Sequence, residues 1–400
     1  MKIGIVLAGG GAKGAYELGV WKALRKLDID FNIVVGTSIG ALNGVMMAQD
    51  SYSKCLNTWY FMNYDYVSSM EIKGKYSSKK GRREIIAKYT KGLFKGGYEM
   101  DGLSKVIDNT VDYDRLMKSN IDFGLVTTHF PSFKGKYVTK KEMSRENIKD
   151  YLIATASCFP AFRPNKIGKE YYIDGGYFDN IPYKLALDMG AEELIIVDLD
   201  AVGISKDLKK IKVPHTIIKP KFKLGNLLVF ENDYTKKYAK LGYNDTLKIY
   251  GMLDGNKYTF KKDSLKRNYK RNINRFMDAI NKHEKYITNT KIKRLLKENN
   301  EKYYNEIIED LMDLFKVDPT KIYRTSLVNV LIKNEFLDGD YKKYNSIRKA
   351  IKLRDKISYE LVSFIYNGIS NEKRGINKYI NIYPKAFLCA VYLYSIINRR

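Results

Sequence analysis

Residues 2–48 read KIGIVLAGGGAKGAYELGVWKALRKLDIDFNIVVGTSIGALNGVMMA, and this stretch decides the fold class. Ile3, Ile5 and Val6 form a short β-branched run that stops at Gly9-Gly10-Gly11. Val20, Ala23, Leu24 and Leu27 then recur at the spacing of one helical face, which predicts a helix over 15–27. Phe31 to Val35 is a second buried-type strand, and Ile39 to Ala48 a second helix. Strand, helix and strand in immediate succession make a βαβ unit, which implies a mainly parallel sheet with helices on its faces.

Working outward, strands are predicted at 121–128, 137–139, 171–173, 193–199 and 215–218, with helices at 145–156 and 182–189. The weakly periodic, Tyr/Lys/Gly-rich segment from 51 to 114 reads as a helical or irregular insertion over one face. Beyond 255, strand and glycine runs give way to Lys/Asn/Tyr-rich sequence with helical spacing, as at 305–315 and 346–365. The expected organisation is an α/β domain over 1–255, with the insertion at about 51–114, and a basic, mostly helical domain over 256–400.

At 44% hydrophobic and 13% aromatic residues the chain can build a large core, which excludes global disorder. Cys55, Cys158 and Cys389 show no CxxC spacing, and His129, His215 and His283 no metal-ligand spacing, so neither a disulfide framework nor a metal site is expected. No apolar run reaches transmembrane length, and the apolar stretch at the start is too short for a secretory signal. The expectation is a cytoplasmic chain. Its 71 Lys+Arg against 45 Asp+Glu give a net charge of +26, of which +16 falls within 256–400. Such a surface attracts nucleic acid or an anionic membrane, unless it reflects only the general Lys/Asn bias of the chain.

Three motifs carry chemistry. Gly36-Thr37-Ser38-Ile39-Gly40 is a G-x-S-x-G pentapeptide between a strand and a helix, the context of a nucleophile elbow. It sets Ser38 at a helix N-terminus, where amide N–H groups favour developing negative charge. The plain alternative is a small-residue turn with Ser38 as N-cap. Gly9-Gly10-Gly11-Ala12-Lys13-Gly14 leaves backbone amides facing a concavity, suited to an oxyanion or a phosphate. A dinucleotide loop is the rival, but Asp28 and Asp30 precede the second strand rather than ending it, and no P-loop Ser/Thr follows Lys13. Tyr172-Ile173-Asp174-Gly175-Gly176 puts an aspartate at a strand end; alone it is a good turn, and beside the other two motifs it is a candidate base.

Together these motifs resemble the patatin-like phospholipases over roughly residues 2–250. Gly9–Gly14 is similar to that family's GGGx[K/R]G motif, Gly36–Gly40 to its elbow and Asp174-Gly175-Gly176 to its DGG. The block Ala156-Ser157 with Pro160, Phe162 and Pro164 also resembles the family pattern, as do Phe178–Pro182 and Leu241–Asp245. The resemblance implies a three-layer α/β/α core. It also implies a Ser–Asp dyad, with Ser38 as nucleophile and Asp174 as general base. The loop Gly9, Gly10, Gly11, Ala12, Lys13, Gly14 together with Ile39 would form the oxyanion hole, and Gly36, Gly40, Gly175 and Gly176 would support the two turns.

An aspartate of ordinary pKa, about 3.9, is a weak base, so a partly desolvated site is expected. A Ser38–Asp174–His215 triad is the competing arrangement, because its chain order is that of α/β-hydrolases. The implied substrates are phospholipids or lysophospholipids, cleaved at carboxylic esters without a cofactor. An acyltransferase or a soluble-ester esterase would use the same site. The implied partner is an anionic membrane surface reached peripherally, and no nucleic-acid motif accompanies the charge. The apolar run 386–397 is read as a core helix in preference to an interfacial one.

Overall fold

A computed structural model of the chain describes residues 1–61, 83, 87, 97–227, 230–284, 287–290, 292–293, 301–344, 357–373 and 375–398. It divides into two compact units, Met1–Ile249 and Tyr250–Arg400. In the first, β1 (Ile3–Leu7) pairs in parallel with β2 (Ile33–Thr37) and with β7 (Glu193–Val197), and β8 (His215–Ile218) extends β7. On the other side of β2 lies β3 (Asp122–Phe130), also parallel. The remaining strands, β4 (Gly135–Thr139), β5 (Asn165–Ile167) and β6 (Glu170–Asp174), all join antiparallel. The main path runs β5-β6-β3-β2-β1-β7-β8, a mostly parallel sheet.

The pairing of β3 positions everything that follows. Gly124 pairs with both Val35 of β2 and Thr139 of β4, while Thr127 pairs with both Lys136 of β4 and Asp174 of β6. A residue has only two edges, so β4 holds one edge of β3 and β2 and β6 share the other. Because β2 runs parallel to β3 and β6 antiparallel, their carboxyl ends meet head-on, Thr37 at Val126 and Asp174 at Thr127. The local pattern of β-branched residues shows that a strand exists and not which way it runs, so this reversal was not visible in the sequence.

Helices cover both faces. Gly44 of α2 (Ile39–Ala48) lies against Phe123, whereas Leu185 of α7 (Tyr183–Asp188) lies against Gly124. Neighbouring residues of a strand point to opposite faces, so α2 and α7 lie in separate layers. α1 (Ala15–Lys26) is tied to α2 by the Asn43 amide donating to Glu17 and crosses α8 (Asn232–Ile249). At that crossing the backbones nearly touch. A Cβ at Gly19 would stand 1.9 Å from the Ala239 carbonyl, and one at Gly242 2.0 Å from that of Tyr16. Beside them the buried Tyr16 hydroxyl donates to Asp245 at 2.8 Å.

Of the expected insertion, the structure gives α3 (Tyr52–Phe61), α4 (Asp101–Thr110) and α5 (Tyr113–Lys118), while 62–82, 84–86 and 88–96 lie outside the described residues. The predicted helix at 145–156 is α6 (Ile148–Ala156).

The second unit comprises α9 (Ser264–Asn281), α10 (Glu301–Leu314), α11 (Thr325–Asp338), α12 (Tyr359–Ser370), α13 (Asn377–Ile382) and α14 (Pro384–Ile397). Of the predicted helix at 346–365, residues 346–356 lie outside the described residues and 359–365 fall in α12. A small sheet, β9 (Leu253–Asp254), β10 (Thr259–Lys261) and β11 (Ile322–Tyr323), was not expected; strands of two or three residues leave no periodicity to read. The apolar run near the end is the core of this unit: Phe387, Ala390, Tyr392 and Leu393 of α14 are fully buried, with Tyr392 against Phe276 and Tyr304. No helix among the described residues is long and apolar enough to cross a membrane.

Candidate active site

Ser38 stands between β2 and α2 with φ 55° and ψ −125°, a left-handed conformation that a side chain adopts only under constraint. The constraint is visible in the two flanking glycines. A Cβ on Gly36 would lie 2.4 Å from the Gly40 carbonyl, and one on Gly40 2.5 Å from that of Leu7, so strand and helix fold back on each other in direct backbone contact. The turn holds the half-buried Ser38 side chain clear of its own backbone. The Ser38 amide donates to Thr155 Oγ1 at 2.9 Å, and the Thr155 hydroxyl in turn donates to the Val126 carbonyl. Thr155 was not singled out in the sequence, since nothing local distinguishes a threonine on α6 that reaches a turn more than a hundred residues away.

The Ser38 hydroxyl donates to Asp174 Oδ2 at 2.7 Å. Asp174 Oδ1 accepts from the Gly176 amide, also at 2.7 Å, which fixes the carboxylate plane. Asp174 is only 7% exposed, and burial pushes its carboxyl up to about 6 against the pull of the Ser38 and Gly176 hydrogen bonds. Gly175 follows in close contact with the Val126 carbonyl. The two ends brought together by β3 therefore carry a serine and a carboxylate in direct contact, with no group between them.

His215 is far from this pair. It is the first residue of β8, level through Leu194 and Gly4 with Ile33 at the start of β2, three strands away and at the opposite end from Ser38. Its ring nitrogen Nδ1 faces the Val213 carbonyl. The triad considered from chain order is thus excluded by the sheet. A strand order with β1 and β7 interposed cannot be read from the order of residues along the chain.

The glycine loop divides by what its amides do. Gly9 donates to the Asn180 carbonyl, Ala12 to Leu227 and Lys13 back to Gly10, while the Lys13 ammonium donates to the Asp200 carbonyl and the Gly14 carbonyl accepts from Asn43. Among the described residues nothing accepts from the amides of Gly10 and Gly11. Gly10, Gly11, Ser38, Ile39 and Asp174 border one cavity of about 500 Å³. Its other walls are mostly apolar, with Leu42, Leu103, Phe162, Ile204 and Phe230 among them. Cys158 also lines it, and burial raises its thiol to about 11, so the sulfur is protonated at neutral pH.

Beneath the two turns, residues 179 and 180 act as a clamp that sequence reasoning gave no role. Asn180 donates through its side chain to the Gly9 carbonyl and through its backbone to that of Ile204, joining the glycine loop to the segment after β7. Asp179 is fully buried; it accepts from Tyr137 and from Lys206 at 2.7 Å each, and its carbonyl takes the Thr37 hydroxyl. No cluster of His, Cys, Asp and Glu among the described residues could hold a metal ion.

A serine hydroxyl bonded to a desolvated carboxylate, beside two free amides and an apolar cavity, can deliver an alkoxide to an ester carbonyl. Residues 5–187 match the family model described as patatin-like phospholipase. The chain is 27% identical over 214 residues to lysophospholipase NTE1 of Mycosarcoma maydis, covering 50% of this chain and 10% of the relative. It is 26% identical over 203 residues to lysophospholipase nte1 of Aspergillus terreus, covering 50% of this chain and 12% of that protein. The chain thus spans about a tenth of the length of the curated relatives it matches. Among solved structures, that of VipD from Legionella pneumophila aligns over 99% of this chain and 90% of its own, with 14% identity and a TM-score of 0.37. Over residues 5–187 the first unit carries a patatin-like phospholipase domain.

Proposed function

We propose that the chain is a lipid acyl hydrolase of the phospholipase A or lysophospholipase type, with Ser38 as nucleophile and Asp174 as general base. The observation that carries this reading is the 2.7 Å hydrogen bond from the strained Ser38 to Asp174 at the wall of an apolar cavity. Ser38 Oγ attacks the ester carbonyl carbon as its proton passes to Asp174 Oδ2. The oxyanion takes N–H groups from Gly10 and Gly11, with Ile39 at the start of α2 as a third donor; one such donor is worth on the order of 3 kcal/mol. Collapse expels the glycerol oxygen, which takes the proton from Asp174. Water, deprotonated by the same carboxylate, then cleaves the acyl-serine and releases a fatty acid. A carboxyl near 6 suits this duty, since it is ionised at neutral pH yet more basic than an ordinary aspartate.

The apolar walls favour a long acyl chain over a small soluble ester, and the named relatives support lysophospholipid as the first substrate to try. The test is fatty-acid release from lysophosphatidylcholine and from mixed vesicles. Ser38→Ala and Asp174→Asn are expected to lose at least about 10³-fold in kcat while keeping the wild-type melting transition, and His215→Ala to retain activity. Full activity in Ser38→Ala would sink the reading. Transfer of the acyl group to an added alcohol in preference to water would convert it to an acyltransferase on the same residues.

A further inference from the structure

The second unit holds a cavity of about 440 Å³ between α9 and α11, in the size range of small-molecule sites. Four cations border it, Arg267 and Arg271 from α9 and Arg324 and Lys333 from α11 and its approach, and no carboxylate lines it. Arg267 donates to the Lys262 carbonyl, and among the described residues none of the four forms an ion pair. Four like charges around one concavity repel each other until a polyanion enters, and guanidinium forks match phosphate oxygens two at a time.

The floor of the cavity is built and fixed. Asn268, Asn272 and Asn329 are all buried. The Asn329 and Asn272 amides donate to Asn268 Oδ1 at 2.9 Å each, and the Tyr392 hydroxyl donates to Asn329 Oδ1. The buried Thr325 ties the first turns of α11 and α9 together, donating through its amide to Ser264 Oγ and through its hydroxyl to the Ser264 carbonyl. The cations therefore project from two helices whose spacing is held by a buried polar network, not from a loose basic surface.

The rim says what kind of phosphate this is. Val330 borders the cavity and is 55% exposed, and Leu327, one turn earlier on α11, is 58% exposed. A soluble phosphate would leave both in water, whereas a bilayer interface receives them while the cations take its headgroups. Nucleic acid fits less well, because no aromatic side chain lines the cavity to stack a base.

We infer that this cavity binds the phosphomonoester headgroup of a membrane lipid, with Arg267, Arg271, Arg324 and Lys333 on the phosphate oxygens and Leu327 and Val330 seated in the interface. The inference concerns the second unit alone and stands or falls independently of Ser38 chemistry.

The test is co-sedimentation of the full chain with phosphatidylcholine vesicles, plain or doped with phosphorylated phosphatidylinositols or with phosphatidylserine at matched charge. The expected result is preferential retention on the phosphomonoester vesicles. Arg271→Glu with Arg324→Glu should weaken it by roughly tenfold or more. Lys266→Glu with Lys270→Glu, an equal charge change on exposed α9 positions outside the cavity, should cost far less. Leu327→Ser should weaken vesicle binding and leave binding of soluble inositol hexakisphosphate unchanged. If the glutamate pair melts abnormally, Arg271→Gln with Arg324→Gln carries the same comparison. Equal losses from the two pairs of substitutions would reduce the site to diffuse charge. Retention indifferent to the phosphomonoester, binding of the soluble phosphate alone, or cavity-dependent capture of RNA would each overturn the lipid assignment.

Discussion

Asp174 is held between opposing influences. Burial disfavours its charge, while the Ser38 hydroxyl and the Gly176 amide favour it, and the balance leaves the carboxyl near 6. Activity through the ionised form should therefore rise with pH, with a midpoint in kcat/KM near 6 where an ordinary aspartate would give one near 4. The stability linkage has the opposite sense. A carboxyl whose folded value is raised stabilises the fold fully below the unfolded value, and this contribution is lost as pH climbs through about 6, an effect on the order of 2–3 kcal/mol. A pH–rate profile set beside thermal melts at pH 4 to 8 checks both directions on one sample. Ser38 and Asp174 were legible in the sequence because each needs glycines at fixed offsets, and glycine is visible. The duties of Thr155, Asn180 and Asp179 were not, since they depend on partners brought from distant strands.

At the scale of elements, the α1–α8 crossing is the most exacting contact in the first unit. Alanine at Gly242 would gain up to about 1 kcal/mol in helix propensity. Its Cβ would nevertheless stand 2.0 Å from the Tyr16 carbonyl, and because the obstacle is backbone the helices must separate. Separation also loosens the buried Tyr16–Asp245 hydrogen bond. Overpacking of this kind costs roughly 1–3 kcal/mol, so Gly242→Ala is expected to lower the melting temperature by several degrees despite the better propensity. An unchanged melting curve would mean that the crossing relaxes freely. Of the two crossing helices, α1 was legible from its clean apolar spacing, as were the central strands, whereas α8 was not among the predicted helices. The antiparallel entry of β6 and the three-residue β5 were not legible, since direction and edge pairing are set by register.

At the scale of the whole molecule, the +26 charge gives the proposed lipid reaction a dependence on salt. The Debye length falls from about 10 Å at 0.1 M salt to about 3 Å at 1 M, so adsorption to anionic vesicles weakens across that range while chemistry in a buried site does not. Fatty-acid release from anionic vesicles should drop steeply with added salt, and turnover of a monomeric soluble ester should stay nearly constant. Parallel losses in both assays would place the salt effect on folding or catalysis. Net charge was plain from composition, but its concentration around the α9–α11 cavity depended on which exposed arginines the two helices bring to one cavity. The sharing of one β3 edge by β2 and β6 has a further consequence. Ser38 and Asp174 are 136 residues apart and meet only where a third strand serves both as template, so no contiguous fragment lacking β3 can contain the pair. Cut between α5 and β3, the chain would yield two inert pieces, and ester cleavage on mixing them would act as a coincidence detector for their reassembly.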